Sequence, residues 1–222
     1  MKLHRGYELW RGPSRLDDAP ITVLVKAAAA NVKTGPMATL YVLRQDISPV
    51  DAVRTGRDKS VCGHCPMRKA LGGECYVDVE KAPTRVWRAW RRGAYPQWPG
   101  SIEQFGLGLH LRMSAYGDID ALPRSLPETL SSAAAAHTAY TEGWRGAPPS
   151  WRRWCMASVH SATDAGEARA AGWRTYRDKH AAEPLLPGEL ECEYQRSRRR
   201  KRCVDCRLCG AAGIHSVVID RH

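Results

Sequence analysis

The chain has 222 residues, of which 43% are hydrophobic and 26% charged, enough for one well-filled domain and too apolar for a wholly disordered protein. No apolar run reaches the roughly 18 residues of a bilayer span: the longest, Ile21 to Ala30, is broken by Thr22 and Lys26, and MKLHRGYELW lacks the apolar stretch of a signal peptide, so the expectation is a cytoplasmic protein with no membrane partner. Lys and Arg number 34 against 23 Asp and Glu, a net charge of +11, which makes a nucleic acid or a nucleotide a natural partner, although an Arg- and Ala-rich composition alone also produces a basic chain.

In chain order, residues 1–20 read as an irregular N-terminal segment with Pro13 and Pro20 as breakers. ITVLV (21–25) and MATLYVL (37–43) read as two strands of a hairpin, joined through Thr34-Gly35-Pro36. Residues 48–82 carry the first cysteines among glycines and charges and read as a loop; VWRAWRR (86–92) reads as a short helix. From there strands alternate with helices: LGLHLRMSAY (107–116), a helix over 125–136, HTAYTEGW (137–144), CMASVHS (155–161), a helix opened by Asp164 and Glu167 and closed by Gly172, and WRTYRD (173–178). That rhythm predicts an α/β fold, a small or partial (β/α) barrel-like parallel sheet with an N-terminal hairpin and two cysteine-rich metal-binding segments. The domain spans 21–190 with a cysteine loop at 55–80, and 191–222 forms a C-terminal cysteine-rich segment.

Eight cysteines in a cytosolic chain are poor candidates for disulfides, and seven of them fall in two windows. The C-terminal group is Cys192-x10-Cys203-x2-Cys206-x2-Cys209. Four thiolates suit a four-cysteine iron–sulfur cluster or a tetrahedral Zn²⁺, and the crowded CxxCxxC leans to iron and sulfur. The N-terminal group is Cys62-Gly-His-Cys65 followed by Cys75. Three cysteines can hold a [4Fe–4S] cluster with one iron left open; His64, His4 or Cys155 are possible fourth ligands, and a histidine there would make an ordinary zinc site.

Polar residues after parallel strands collect at one mouth of such a fold. These are Ser114, Tyr116, Asp118 and Asp120, then Thr141 and Glu142, then Ser158, His160 and Ser161, and finally Arg177 and Asp178. Asp118, with Arg112 and Ser114 on the preceding strand, forms the candidate catalytic set; Asp118, Tyr116, Ser158 and His160 are the candidate cofactor-binding residues. A strand-end histidine can instead simply cap the next helix. The run RSRRRKR contains Arg198, Arg199, Arg200, Lys201 and Arg202, which read either as a solvated loop or as contacts to a phosphate backbone. Trp87, Trp90, Tyr95 and Trp98 interleave with arginines and read as core packing in preference to a base-stacking platform. There is no phosphate-cradling GxxxxGK[ST] loop, no HExxH and no GxSxG.

Thr55-Gly-Arg-Asp58, Cys62-Gly-His-Cys65, Cys75-Tyr76-Val77, Arg112-Met-Ser114, Tyr116-Gly117-Asp118, Met156-Ala-Ser158, Gly172-Trp173-Arg174 and the tail Cys203 to Gly210 together resemble the actinobacteriophage "gene product eighty-eight" family. In general layout the chain is also similar to radical S-adenosylmethionine enzymes, with an early cysteine loop, α/β repeats and an accessory cluster at the end. The resemblance implies a phage-encoded iron–sulfur enzyme with one or two [4Fe–4S] clusters, S-adenosylmethionine as a candidate co-substrate, and a reductant protein as partner. The spacing departs from the usual CxxxCxxC of those enzymes, since this chain has CxxC-x9-C. The rival expectation is a zinc-stabilised nucleic-acid-binding protein without catalysis.

Overall fold

The computed structural model describes residues 6–27, 31–210 and 213–221. Two five-stranded sheets carry the fold. In the first, β1 (Gly6–Pro13), β2 (Pro20–Lys26) and β3 (Ala38–Arg44) form an antiparallel meander. To it β4 (His110–Tyr116) and β5 (Ala136–Thr138) add in parallel. In the second, β6 (Tyr140–Thr141), β7 (Met156–Val159), β8 (Thr175–Lys179), β10 (Ser216–Asp220) and β9 (Glu189–Glu191) are neighbours in that order, all parallel. β5 and β6 are parts of one run separated by Ala139, whose carbonyl accepts the Met156 N–H at 3.0 Å. The sheets therefore adjoin along residues 136–141. Both sheets are open, and no barrel is found among the described residues.

The helices are α1 (Pro49–Arg54), α2 (Lys59–Cys62), α3 (Ala82–Arg91), α4 (Ile102–Gly106), α5 (Ser125–Ala133), α6 (Ala162–Ala170), α7 (Glu193–Arg196) and α8 (Cys203–Cys206). No helix among the described residues is long and apolar enough to cross a membrane. The helix expected over 125–136 forms but ends at Ala133, Ala136 already beginning β5, and the helix expected ahead of Gly172 forms as α6. The N-cap of α6, however, is Ser161, which accepts from Asp164 N–H; Asp164 is the last residue of the capping motif, not its first.

Three expectations change. Residues 1–20 contain β1, because Pro13 ends a strand opposite Pro20, where no N–H is required of it. The cysteine loop of 48–82 holds α1, α2 and a 3₁₀ turn at Lys69–Leu71. The C-terminal segment is no appendage: β10 threads between β8 and β9, so the second cysteine group is enclosed by the sheet that follows it.

Side-chain alternation positions the site. Leu111, Met113, Ala157 and Val159 face a core that also takes Leu126 and Leu130 of α5 and Ala165 and Ala168 of α6. The opposite face carries Arg112 and Ser114 from β4, Tyr140 and Glu142 from the β6 run, Ser158 and His160 from β7, and Tyr176 and Asp178 from β8, all half-buried. One face of four adjacent parallel strands is thus polar yet largely covered.

Candidate metal centres

The first cysteine group rests on a stitched loop. Asp58 and Arg68 are both buried and form a forked ion pair, Arg68 Nη2 to Oδ1 at 2.6 Å and Nε to Oδ2 at 3.1 Å. Arg68 also donates to the carbonyls of Gly56 at 2.7 Å and Gly63 at 3.2 Å. The two sides of the CGHC turn are tied through one guanidinium. Gly63 has φ 58° and ψ −130°, a conformation that L side chains rarely adopt. At the end of β4, Asp118 N–H bonds the Val61 carbonyl at 2.5 Å. Gly117, at φ +82°, permits that approach, since a Cβ there would lie 2.7 Å from the Val42 carbonyl oxygen.

Burial pushes the thiols of Cys62, Cys65 and Cys75 up, Cys62 furthest; each feels the neighbouring negative groups, and Cys62 feels both other cysteines. The backbone N–H groups of Met67 and Val77 nonetheless donate to Cys65 and Cys75, each from two residues on. This contact stabilises a thiolate and is what a metal-bound cysteine requires. Tyr116 supplies an independent mark: its hydroxyl is buried with no hydrogen-bond partner and lies within electrostatic reach of Cys62 and Cys75. A buried orphan hydroxyl is costly, and a thiolate- or sulfide-bearing group at these cysteines would satisfy it.

Beside Cys65, atoms of Cys65, Glu142 and His160 lie within 4.8 Å of one another. His160 Nε2 donates to both Glu142 oxygens at 3.0 Å, and its Nδ1 bonds Asp178 Oδ1. Asp178 Oδ2 in turn accepts from Arg221 Nε at 2.8 Å. Burial works against a charged ring, but the bonds to Asp178, Cys65 and Glu142 prevail and raise the imidazole to about 12. His160 is therefore an imidazolium clamped between two carboxylates.

Asp118 is buried and already engaged: it accepts from Thr141 Oγ1 at 2.8 Å, Glu142 N–H at 2.6 Å and Asp120 N–H at 2.9 Å. Burial raises it to about 7 against the pull of those three donors. It positions Glu142 from behind the mouth. Ser114 donates to the Gly117 carbonyl and holds the same turn.

The second group closes around one small cavity lined by Cys192, Cys203, Cys206 and Cys209, with Thr138 and Val217 beneath. Cys192 N–H bonds Val218 O at 2.8 Å, while Cys203 N–H and Val204 N–H bond Lys33 O and Thr34 O at 3.0 and 3.1 Å. Arg207, at φ 58°, makes the turn between Cys206 and Cys209. Leu208 N–H donates to Cys206, repeating the contact seen at Cys65 and Cys75. Burial raises the Cys209 thiol to about 12, against a hydrogen bond from Tyr140.

All eight cysteines are free. Among the described residues, the Cys65–Glu142–His160 set is the one trio of ligand atoms mutually within 4.8 Å, so neither cysteine group brings three thiols that close. With Zn–S near 2.3 Å, a tetrahedral ion would hold its sulfurs about 3.8 Å apart. Closure of either cysteine group on one tetrahedral ion would require its thiols to stand nearer one another than they do.

The mouth residues read from the strand ends divide. Glu142 and His160 meet at Cys65 with Asp178 on the far nitrogen of His160, whereas Arg177 turns to the other face and pairs with Glu189 Oε2 at 2.7 Å. Ser158 shares the polar face. His64 is exposed, Cys155 lies in the main core, and His4 is outside the described residues. Arg198, Arg199, Arg200, Lys201 and Arg202 are all exposed. Trp87 packs against the core, and Trp151 and Trp154 are buried in it. The stitch by Arg68 and the inward tyrosines Tyr140 and Tyr176 were not anticipated; strict alternation along β6 and β8 was the available signal for the tyrosines. Compared with protein-family models, with curated proteins and with solved structures, the chain gave no match in any of the three.

Proposed function

We propose that this chain is an iron–sulfur enzyme of radical S-adenosylmethionine-like type, in keeping with the family layout it resembles, acting on a nucleotide or nucleic acid. Cys62, Cys65 and Cys75 would hold a cluster with one iron open to substrate or S-adenosylmethionine; Cys192, Cys203, Cys206 and Cys209 would hold an accessory cluster. The observation that carries this is the placing of the two groups along one half-buried polar face. Tyr140 bonds Cys209 and Glu142 neighbours Cys65; two residues apart, they are separated by about 7 Å of strand. When bound, such clusters supply single-electron chemistry at a substrate. The protein's own part is positional. His160 holds Glu142 and Asp178 in place, Asp118 fixes the Glu142 backbone, and Tyr116 offers a hydroxyl to the first cysteine group.

A second reading, a zinc-stabilised nucleic-acid-binding protein without catalysis, is favoured by the Cys65–Glu142–His160 set, whose spacing suits one ion. That ion would have to displace a proton from an imidazole raised to about 12. Metal and acid-labile sulfide content after anaerobic purification, with a visible spectrum, separates the two. The enzyme reading expects a brown protein with about four or eight irons; a colourless protein with one or two zincs overturns it.

A further inference from the structure

Arg112 is a charge that the contacts described so far leave unexplained. It lies half-buried on β4 in register with Thr39 and Thr138, and among the described residues it makes no hydrogen bond or ion pair. The two buried arginines are satisfied, Arg68 by Asp58 and two carbonyls, Arg177 by Glu189, Glu183 and the Pro184 carbonyl, and the half-buried Arg152, whose Nε also lacks a partner, instead stacks over the Trp173 ring. Around Arg112 stand the hydroxyls of Tyr76, Tyr140, Tyr41 and Tyr176, all within electrostatic reach. Lys33 approaches from the β2–β3 connection, its Nζ donating to Tyr176 Oη at 3.4 Å, and it too lacks a carboxylate partner among the described residues. Tyr76 is 72% exposed, so this corner opens to solvent.

The carboxylates of the polar face, Glu142 and Asp178, sit at its other end with His160. The face is thus polarised, with cations and phenols at the start of the strands and clamped carboxylates at their ends. We infer that Arg112 and Lys33, with the surrounding tyrosine hydroxyls, form a receptor for the terminal phosphate of a nucleotide. Two cations and several hydroxyl donors without a carboxylate match a doubly charged, three-oxygen anion better than a carboxylate, which carries half the charge and one oxygen fewer. A phosphate held there leaves the rest of the nucleotide lying along the face toward Glu142 and the first cysteine group. A backbone diester, flanked by sugars on both sides, suits this half-covered corner less than a chain end does.

The assignment of the bound nucleotide as substrate rests on the enzyme reading above; the binding itself does not. Lys33 and Arg112 also lie near Cys203, so a purely charge-balancing role for the second cysteine group is the competing account. The test is titration of the full chain, as purified with its metal, by inorganic phosphate, adenosine 5′-monophosphate, adenosine, and a dinucleotide with only an internal phosphate, followed by calorimetry. Phosphate and the monophosphate bind, adenosine and the dinucleotide do not. Arg112→Gln weakens the monophosphate at least tenfold and Lys33→Gln several-fold, with metal content unchanged in both. Absence of phosphate and monophosphate binding, equal binding of the dinucleotide, or wild-type affinity in Lys33→Gln overturns the proposal. Variants that lose metal yet keep wild-type affinity assign the cations to charge balance and overturn it as well. Should Arg112→Gln fail to fold, the half-exposed Lys33 carries the test alone. Metal analysis of the same samples judges the iron–sulfur reading separately, so either can fail without the other.

Discussion

Asp118 shows how a residue singled out by position acquires a different role from its contacts. It follows a strand and a glycine, where ligand-binding aspartates often sit, yet its oxygens are taken by Thr141, Glu142 and Asp120. Asp118→Asn turns one acceptor into a donor facing the Glu142 N–H. A loss of about 1–3 kcal/mol follows from the buried mismatch, read as a lower urea midpoint. The pH dependence has a defined sign. With the folded carboxyl at about 7 against an ordinary value of 3.8, the fold holds a proton there that the unfolded chain releases. This contribution to stability is complete below about pH 4 and is lost as pH rises through 7. The asparagine variant lacks that part of the slope, and unfolding midpoints of the two proteins from about pH 4 to 8 measure the difference.

At the scale of elements, the first cysteine loop is held by side chains as well as by any metal. The Asp58–Arg68 fork and its carbonyl bonds close residues 56–68 on themselves. Arg68→Ala leaves Asp58 buried and unpaired, an expected cost of about 3–5 kcal/mol, with new proteolytic cleavage between 56 and 73. Cys62→Ser, in contrast, removes a ligand while leaving the fork intact. On the proposed function, that variant stays folded, with an unfolding midpoint close to wild type, and loses the metal of the first group only. Collapse of the whole chain in Cys62→Ser would instead mark the site as structural. The different outcome for the two substitutions follows from which contact spans the loop.

Over the whole molecule, two of the basic sets differ in exposure. The exposed Arg198–Arg202 run offers cations to bulk solvent, while Arg112 lies on the half-buried polar face with the half-exposed Lys33 beside it. Exposed cations read a nucleic acid by counterion release. Replacing Arg198, Arg199 and Arg200 with alanine therefore reduces the slope of log affinity against log salt on duplex DNA by about 2–3, measured by titration at several salt concentrations. An unchanged slope removes this run from any nucleic-acid interface.

What could be read from the chain itself was local. Cysteine spacing, the turn at Thr34-Gly35-Pro36, the alternation of strands with helices and the strand-end polar residues are short-range patterns, and each is present in the fold. The β1 strand escaped because Pro13 and Pro20 read as breakers, although a proline can end a strand. The β9–β10 pair escaped because its strands are short and interrupted by the cysteine segment. Tertiary structure alone decided which strand ends become neighbours. Crossover connections bring Glu142 and His160, just past the ends of β6 and β7, against Cys65 and set Asp178 of β8 behind His160; they turn Arg177 away and leave Arg112 without a carboxylate. Side-chain alternation assigns a residue to a face of its own strand, but the identity of the next strand depends on how distant segments pack, and it is that neighbour which makes a charge a pair or leaves it open to a ligand.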